Sequence, residues 1–531
     1  MPGMVYGLKK YWINNTQHGQ KRTELTDKKH MILSRYNLNK INAPGLVKPG
    51  EAIFDLPEKV LQFGTGVLLR GLPDYYIDKA NRNGVFNGRV VVVKSTDTGS
   101  ATDFDKQDSL YTLSIKGIDN GGEVDEQIVC SAISRVLSAG SDWDSILKVA
   151  QSPDLQIVIS NTTEVGIQLV QDDVTKRPPV SFPGKLLAIL LERYKTFNGS
   201  PESGLVIVPA ELIVDNGKKL EAIVLELAHL NKLEPAFMDW LEEHNHFCNS
   251  LVDRIVPGKP DAQTTTQLEA EYGYQDDLRI VSEVYSLWAI EGNEHIKNVL
   301  SFAEVDKGIV IVPNIEMFRE IKLRLLNGTH TLSCGMAFLS GFRTVKEAMD
   351  DAGFTHFVYQ LMLKEIAPAI PYDVDYDTAA EFAGKVVDRF RNPYIDHQWI
   401  SISAQYSSKI KGRVIPVLLN HYKSHTNIPE HIALGFAAFV RFMKCTKNAE
   451  GKYIGSNHGQ EYVITDSQAE IFAQAWQKPD LHDVAYTLLS DKSLWDADLC
   501  QLPGFKEGVL KHLQQIVSQG TKQILAKEAI V

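Results

Sequence analysis

Cysteine is scarce in this 531-residue chain: Cys130, Cys248, Cys334, Cys445 and Cys500 lie far apart, none in C-x-x-C spacing. So sparse and odd a set argues against a disulfide framework or a zinc–thiolate site and fits a reducing, cytoplasmic setting. No apolar run approaches the ~20 residues that span a bilayer, so no membrane partner is expected. There is also no block of Lys and Arg. Acidic residues (66) outnumber basic ones (55), for a formal charge of -11, so nucleic acid is not an expected partner. No internal repeat or low-complexity segment stands out. The first 30 residues are polar and basic without an apolar centre, unlike a secretory signal, and Met31 is a second candidate start. A G-x-S-x-G elbow is missing. His244 and His246 lack a third ligand at zinc spacing, so no metal is expected.

What is present is ordinary for a folded protein, with 44% hydrophobic and 23% charged residues, and the length calls for two domains. Residues 1–50 read as an N-terminal extension of tail and loop. Over 51–279, strand candidates alternate with helical segments: "KVLQFG", "GRVVVVKS", "LYTLSI", "LQIVIS" and "GLVIVPA". That alternation predicts an α/β, Rossmann-like domain with a mostly parallel sheet. From 280 to 531 helical periodicity dominates and strands are scarce, which predicts a mainly α-helical C-terminal domain.

In "VLQFGTGVLLRG" a strand runs into Gly64-Thr65-Gly66 and then a helix. This is how a βαβ unit brings backbone N–H groups against a pyrophosphate, glycine being needed where a Cβ would hold the phosphate away. The third glycine of the usual fingerprint is replaced by Leu69. Arg70, one turn into the helix, is either a phosphate contact or a solvated arginine. The next strand ends in Lys94 and Ser95, with Asp97 beyond it. Asp97 would suit the ribose of NAD, whereas Lys94 would tolerate a 2'-phosphate.

The segment "EIKLRLLNGTHTLSCG" (320–335) sets Lys322, Asn327 and His330 among leucines. On an α-helix, Asn327 lies about 140° and His330 about 80° around from Lys322, so one broad face holds all three. A buried lysine is costly unless paired or neutral. It either snorkels to water or serves as a general base with a lowered pKa. In the catalytic reading Lys322 moves the hydroxyl proton, Asn327 holds the developing alkoxide and His330 orients substrate. The bland alternative is a solvated lysine, an asparagine capping the helix before Gly328 and a satisfied core histidine.

Seven motifs together resemble a known family: "QFGTGVLLRG" (62–71), "QDSLYTL" (107–113), "SNTTEVGI" (160–167), "PAELIVDNG" (209–217), "FCNSLVDRIVPG" (247–258), "KLRLLNGTH" (322–330) and "RFRNPYI" (389–395). In this order the chain resembles the mannitol dehydrogenase family of long-chain, metal-independent polyol and sugar-acid dehydrogenases, and within it the tagaturonate reductase branch. The resemblance implies NAD-dependent interconversion of D-tagaturonate and D-altronate, with fructuronate or an uncharged polyol as alternative substrates. A nucleotide-sensing protein that has lost turnover is the non-enzyme alternative. It assigns the catalytic lysine to Lys322, supported by Asn327 and His330. Where the polyol enzymes carry a second asparagine, Glu211 stands here, expected to touch a substrate hydroxyl or to pair with Lys322. A sugar-acid carboxylate needs a cation, and Lys409 or Arg413 in "SSKIKGRVIP" is the expected anchor. Asp253 and Arg254 are expected to pair at the domain junction. A monomer or homodimer is expected.

Overall fold

The computed structural model describes residues 31–94, 102–162 and 165–529; Asp97 lies outside them. Six strands form a parallel sheet: β1 (Glu58–Phe63), β2 (Arg89–Lys94), β3 (Ile133–Ser138), β4 (Ile157–Ser160), β5 (Val206–Pro209) and β6 (His246–Phe247). Their spatial order is β6-β5-β4-β1-β2-β3. This is the doubly wound order, with the switch point between β1 and β4. The run "RVVVVK" fits the interior position of β2, flanked by a strand on each side. Its side chains alternate between faces, so Val90 and Val92 enter one hydrophobic core while Val91 and Val93 enter the other. Burial on both faces removes the polar alternation of a half-exposed strand.

Strands do not stop at residue 280. Ile280–Glu283 pairs with Tyr111–Asp119, and Leu287–Glu291 pairs with both Ser250–Asp253 and Ile309–Val312. The helical reading from residue 280 onward is therefore corrected for the stretch "DLRIVSEVYSLWAIEG" (277–292). Short apolar runs buried on both sides carry no period that separates strand from helix. A further three-stranded antiparallel sheet, Cys445–Lys447, Tyr453–Asn457 and Gln460–Ile464, sits among the later helices. Residues 31–50 are likewise no loose tail. Leu33, Leu38 and Ile41 are buried, Met31–Ile32 pairs with Tyr274–Gln275, and Leu46–Val47 pairs with Gln127–Ile128.

The rest of the chain past 313 is largely helical around one large core. Its centre is the contact between Thr329–Leu339 and Glu430–Phe442. A Cβ on Gly335 would stand 2.8 Å from the Ala438 backbone, so only glycine lets these helices approach so closely. That crossing fixes the helix that carries His330. Among the described residues no helix is long and apolar enough to cross a membrane.

Candidate active site

Gly64 leaves the end of β1 at φ +125°, and its N–H donates to the Val93 carbonyl at 3.1 Å. A Cβ there would meet Leu69 Cδ1 at 2.9 Å and the Asn161 carbonyl at 3.1 Å, so glycine is required. Leu69, standing where a third glycine was sought, is buried beneath the turn as a core residue. Gly66 differs. Nothing lies within 4 Å of a Cβ built on it, so protein packing does not demand glycine there. An exposed glycine facing open space between a strand end and a helix start is the cradle a phosphate group would fill. Thr65 sits half-buried between them. Arg70 turns inward instead: it is buried, its Nη1 donates to the Leu278 carbonyl at 2.6 Å, and its guanidinium lies over Phe104 and Tyr111. It is neither solvated nor set at the turn's open side as a phosphate contact.

The neighbouring strand ends are tied together by Glu211. Buried at 3% exposure, its carboxylate accepts from Ser160 Oγ (3.1 Å), Thr162 N (2.8 Å) and Thr162 Oγ1 (3.1 Å). Burial pushes this carboxyl above its ordinary value, and the hydrogen bonds offset only part of that. Glu211 thus clamps the loops after β4 and β5 and is not the partner of Lys322. Asn216, unnoticed in the sequence, fastens the same region: its amide donates to the carbonyls of Pro209, Glu211 and Ser250.

Lys322 opens a π-helical turn, Lys322–Gly328, set between the α-helices Glu316–Ile321 and Thr329–Leu339. The backbone stays helical through Gly328, so Asn327 does not cap a helix end. In a π turn the backbone bonds span five residues, which brings Asn327 back over Lys322 where an α-helix would swing it about 140° away. Lys322 Nζ donates to the Val252 carbonyl at 2.9 Å and stands 3.6 Å from Asp253 Oδ1. Asp253 in turn receives both Nη atoms of Arg389, at 2.9 and 3.1 Å, and Arg389 also bonds Glu283 at 2.8 and 3.0 Å. Burial alone would raise the Asp253 carboxyl, but Arg389 and then Lys322 hold it below its ordinary value. The expected Asp253–Arg254 pair does not form, because Arg254 donates to the carbonyls of Glu283 and Gly71.

His330 is stacked on Phe390, ring centroids 4.1 Å apart and planes 9° from parallel. Its Nε2 is buried without a hydrogen-bond partner. Burial first, then the neighbouring imidazole of His397 and the cations Arg389, Arg413 and Lys409, hold its pKa well below the ordinary value, so the ring is neutral. Lys322, Asn327 and His330 line one cavity of about 260 Å³ with Asp253, Arg389 and Lys346. The two expected carboxylate anchors are not on its wall. Lys409 Nζ donates to the Ile402 carbonyl at 2.8 Å, and Arg413 Nη1 donates to Thr331 Oγ1 at 3.1 Å. The segment from Val252 to Gly258 links cavity and glycine turn. Ile255 lines the cavity, Val256 packs on Gly71, and Gly258 lies against Val67, which follows the turn.

Residues 58–303 match the mannitol dehydrogenase Rossmann domain, and residues 314–517 match the mannitol dehydrogenase C-terminal domain. The chain belongs to the mannitol dehydrogenase family. It is 37% identical to an altronate oxidoreductase of Bacillus subtilis (strain 168), over 89% of this chain and 96% of that one. Among solved structures, a Pseudomonas fluorescens mannitol 2-dehydrogenase ternary complex with NAD and D-mannitol covers 94% of this chain and 99% of its own. The identity is 23% and the TM-score 0.65. A D-sorbitol dehydrogenase in substrate-free form covers 94% of this chain and 100% of its own, at 20% identity and a TM-score of 0.74. The mannitol dehydrogenase fold thus extends over nearly the whole molecule. Within this oxidoreductase family framework, the glycine turn falls in the Rossmann part and Lys322, Asn327 and His330 in the C-terminal part.

Proposed function

We propose that the protein interconverts D-tagaturonate and D-altronate with NAD(H), in the cavity lined by Lys322, Asn327 and His330. The observation that carries this reading is that Lys322, Asn327 and His330 line one cavity, with the His330 Nε2 itself buried and unpartnered. A buried polar atom without a partner costs free energy that a bound hydroxyl would recover. The likeness to altronate oxidoreductases over nine-tenths of the chain supports the substrate. A nicotinamide bound at the glycine turn supplies or accepts the hydride.

The chain's own groups do the rest. Lys322 Nζ returns a proton to the substrate oxygen in reduction and withdraws it in oxidation. Asn327 donates its amide N–H to that oxygen as negative charge develops, held in place by the π turn. His330 positions a substrate hydroxyl through Nε2. Asp253, fixed by Arg389, and the Val252 carbonyl hold Lys322 in register. Glu211 has no part in this chemistry except to shape the strand ends.

The test is consumption of NADH, with NADPH in parallel, by purified protein offered D-tagaturonate, D-fructuronate and D-fructose. Turnover of tagaturonate with NADH, lost by a factor of roughly 10² or more in Lys322→Ala, is the expected result. Preference for fructuronate or fructose would overturn the substrate, and undiminished activity in the variant would overturn the role of Lys322.

A further inference from the structure

A sugar acid asks two things of one cavity: a proton-handling group near its carbonyl and a cation for its carboxylate. Among the cavity-lining residues, leaving histidine aside, three carry basic side chains: Lys322, Arg389 and Lys346. Lys322 is the group assigned to the reacting oxygen. Arg389 uses four of its five N–H donors on Asp253 and Glu283, and its side chain is only 6% exposed. The cavity's two imidazoles add no charge, since burial and the neighbouring cations lower both His330 and His397. Lys346 is different. It sits in the short helix Val345–Met349 beside the cavity and its side chain is 39% exposed. Its ammonium pairs at 2.6 Å with Asp350, one turn on and 61% exposed. An exposed pair of this spacing is weak and readily exchanged.

We infer that Lys346 is the residue that selects a carboxylate-bearing substrate, exchanging Asp350 for the sugar acid when the cavity fills. This rests on the proposed sugar-acid activity and places the anchor away from Lys409 and Arg413, which do not line the cavity; Lys409 Nζ donates to Ile402 and Arg413 Nη1 to Thr331. It also assigns Asp350 a role as an internal competitor for the substrate's charge.

Steady-state kinetics of Lys346→Met, Lys346→Arg and Asp350→Asn test this, each measured with D-tagaturonate, D-fructuronate and uncharged D-fructose. Lys346→Met is expected to raise KM for the preferred sugar acid roughly 10- to 100-fold with little change in kcat. Lys346→Arg should recover most of that loss. Asp350→Asn should lower KM about twofold, the opposite direction. Melting temperatures should be unchanged, which separates binding from misfolding. Wild-type activity on tagaturonate with KM untouched in Lys346→Met would overturn the anchor and leave the proposed function standing. Activity on fructuronate alone, with the same KM loss, would sustain the anchor and overturn the tagaturonate reading. Activity on fructose alone would overturn both.

Discussion

His330 shows how a side chain is tuned by what surrounds it. Its ring is buried and stacked, four cationic or basic groups face it, and its Nε2 finds no acceptor or donor. Replacing it with phenylalanine keeps the stack on Phe390 and removes the unpaired polar atom. His330→Phe is therefore expected to melt at or above the wild-type temperature while losing roughly 10²-fold in kcat/KM. Full activity in that variant would rule out contact between Nε2 and substrate. Lys322, Asn327 and His330 were legible because they interrupt an apolar helical run. The partner of Lys322 was not legible. Asp253 is chosen by a strand end packed against the helix, with Arg389 arriving from 136 positions away. The family resemblance had offered Glu211 for Lys322, and Arg254 was expected beside Asp253; both are engaged elsewhere.

At the scale of elements, two helices and the C-terminal end of the chain meet at His431. Its ring lies 2.9 Å from Glu365 and 3.5 Å from Glu528 of the helix Thr521–Glu528. Burial opposes its charge, but the two carboxylates prevail and raise its pKa from 6.5 to about 9. The stabilisation is complete below about pH 6.5 and fades as pH rises through about 9. A shift of this size corresponds to about 3 kcal/mol. Thermal unfolding of wild type and His431→Gln should differ most at about pH 6.5 and converge above about pH 9.5. A gap that does not narrow would show that the charge is not what docks the last helix. Element type itself was readable wherever a polar face marked the period, as in Tyr376–Phe390. It failed for Ile280–Glu283 and Leu287–Glu291, which are buried on both faces. The π turn was likewise hidden, because its extra residue per turn leaves no compositional mark.

For the whole molecule the decisive contact is Arg389. From the end of Tyr376–Phe390 it reaches strands Ser250–Asp253 and Ile280–Glu283, so helical and sheet regions are joined by one guanidinium between two buried carboxylates. Arg389→Met leaves Asp253 and Glu283 buried beside each other without their cation. A loss of about 3–5 kcal/mol in urea unfolding is expected, because breaking a buried pair from one side strands the opposite charge. Activity should fall with it, since Asp253 stands beside Lys322. A variant as stable as wild type would show that this guanidinium does not hold the regions together.

The sequence by itself determined the alternating cores of the central sheet, the glycine turn and the polar trio on its apolar helix. Each is a local pattern whose meaning follows from one residue's neighbours along the chain. Only the tertiary structure decided that Lys322 sits with Asp253, that the π turn brings Asn327 over it, and that Lys346 faces the cavity while Lys409 and Arg413 do not. Those choices lie between segments distant in sequence. A buried charge takes whichever partner packing brings within reach, and composition does not encode which one arrives.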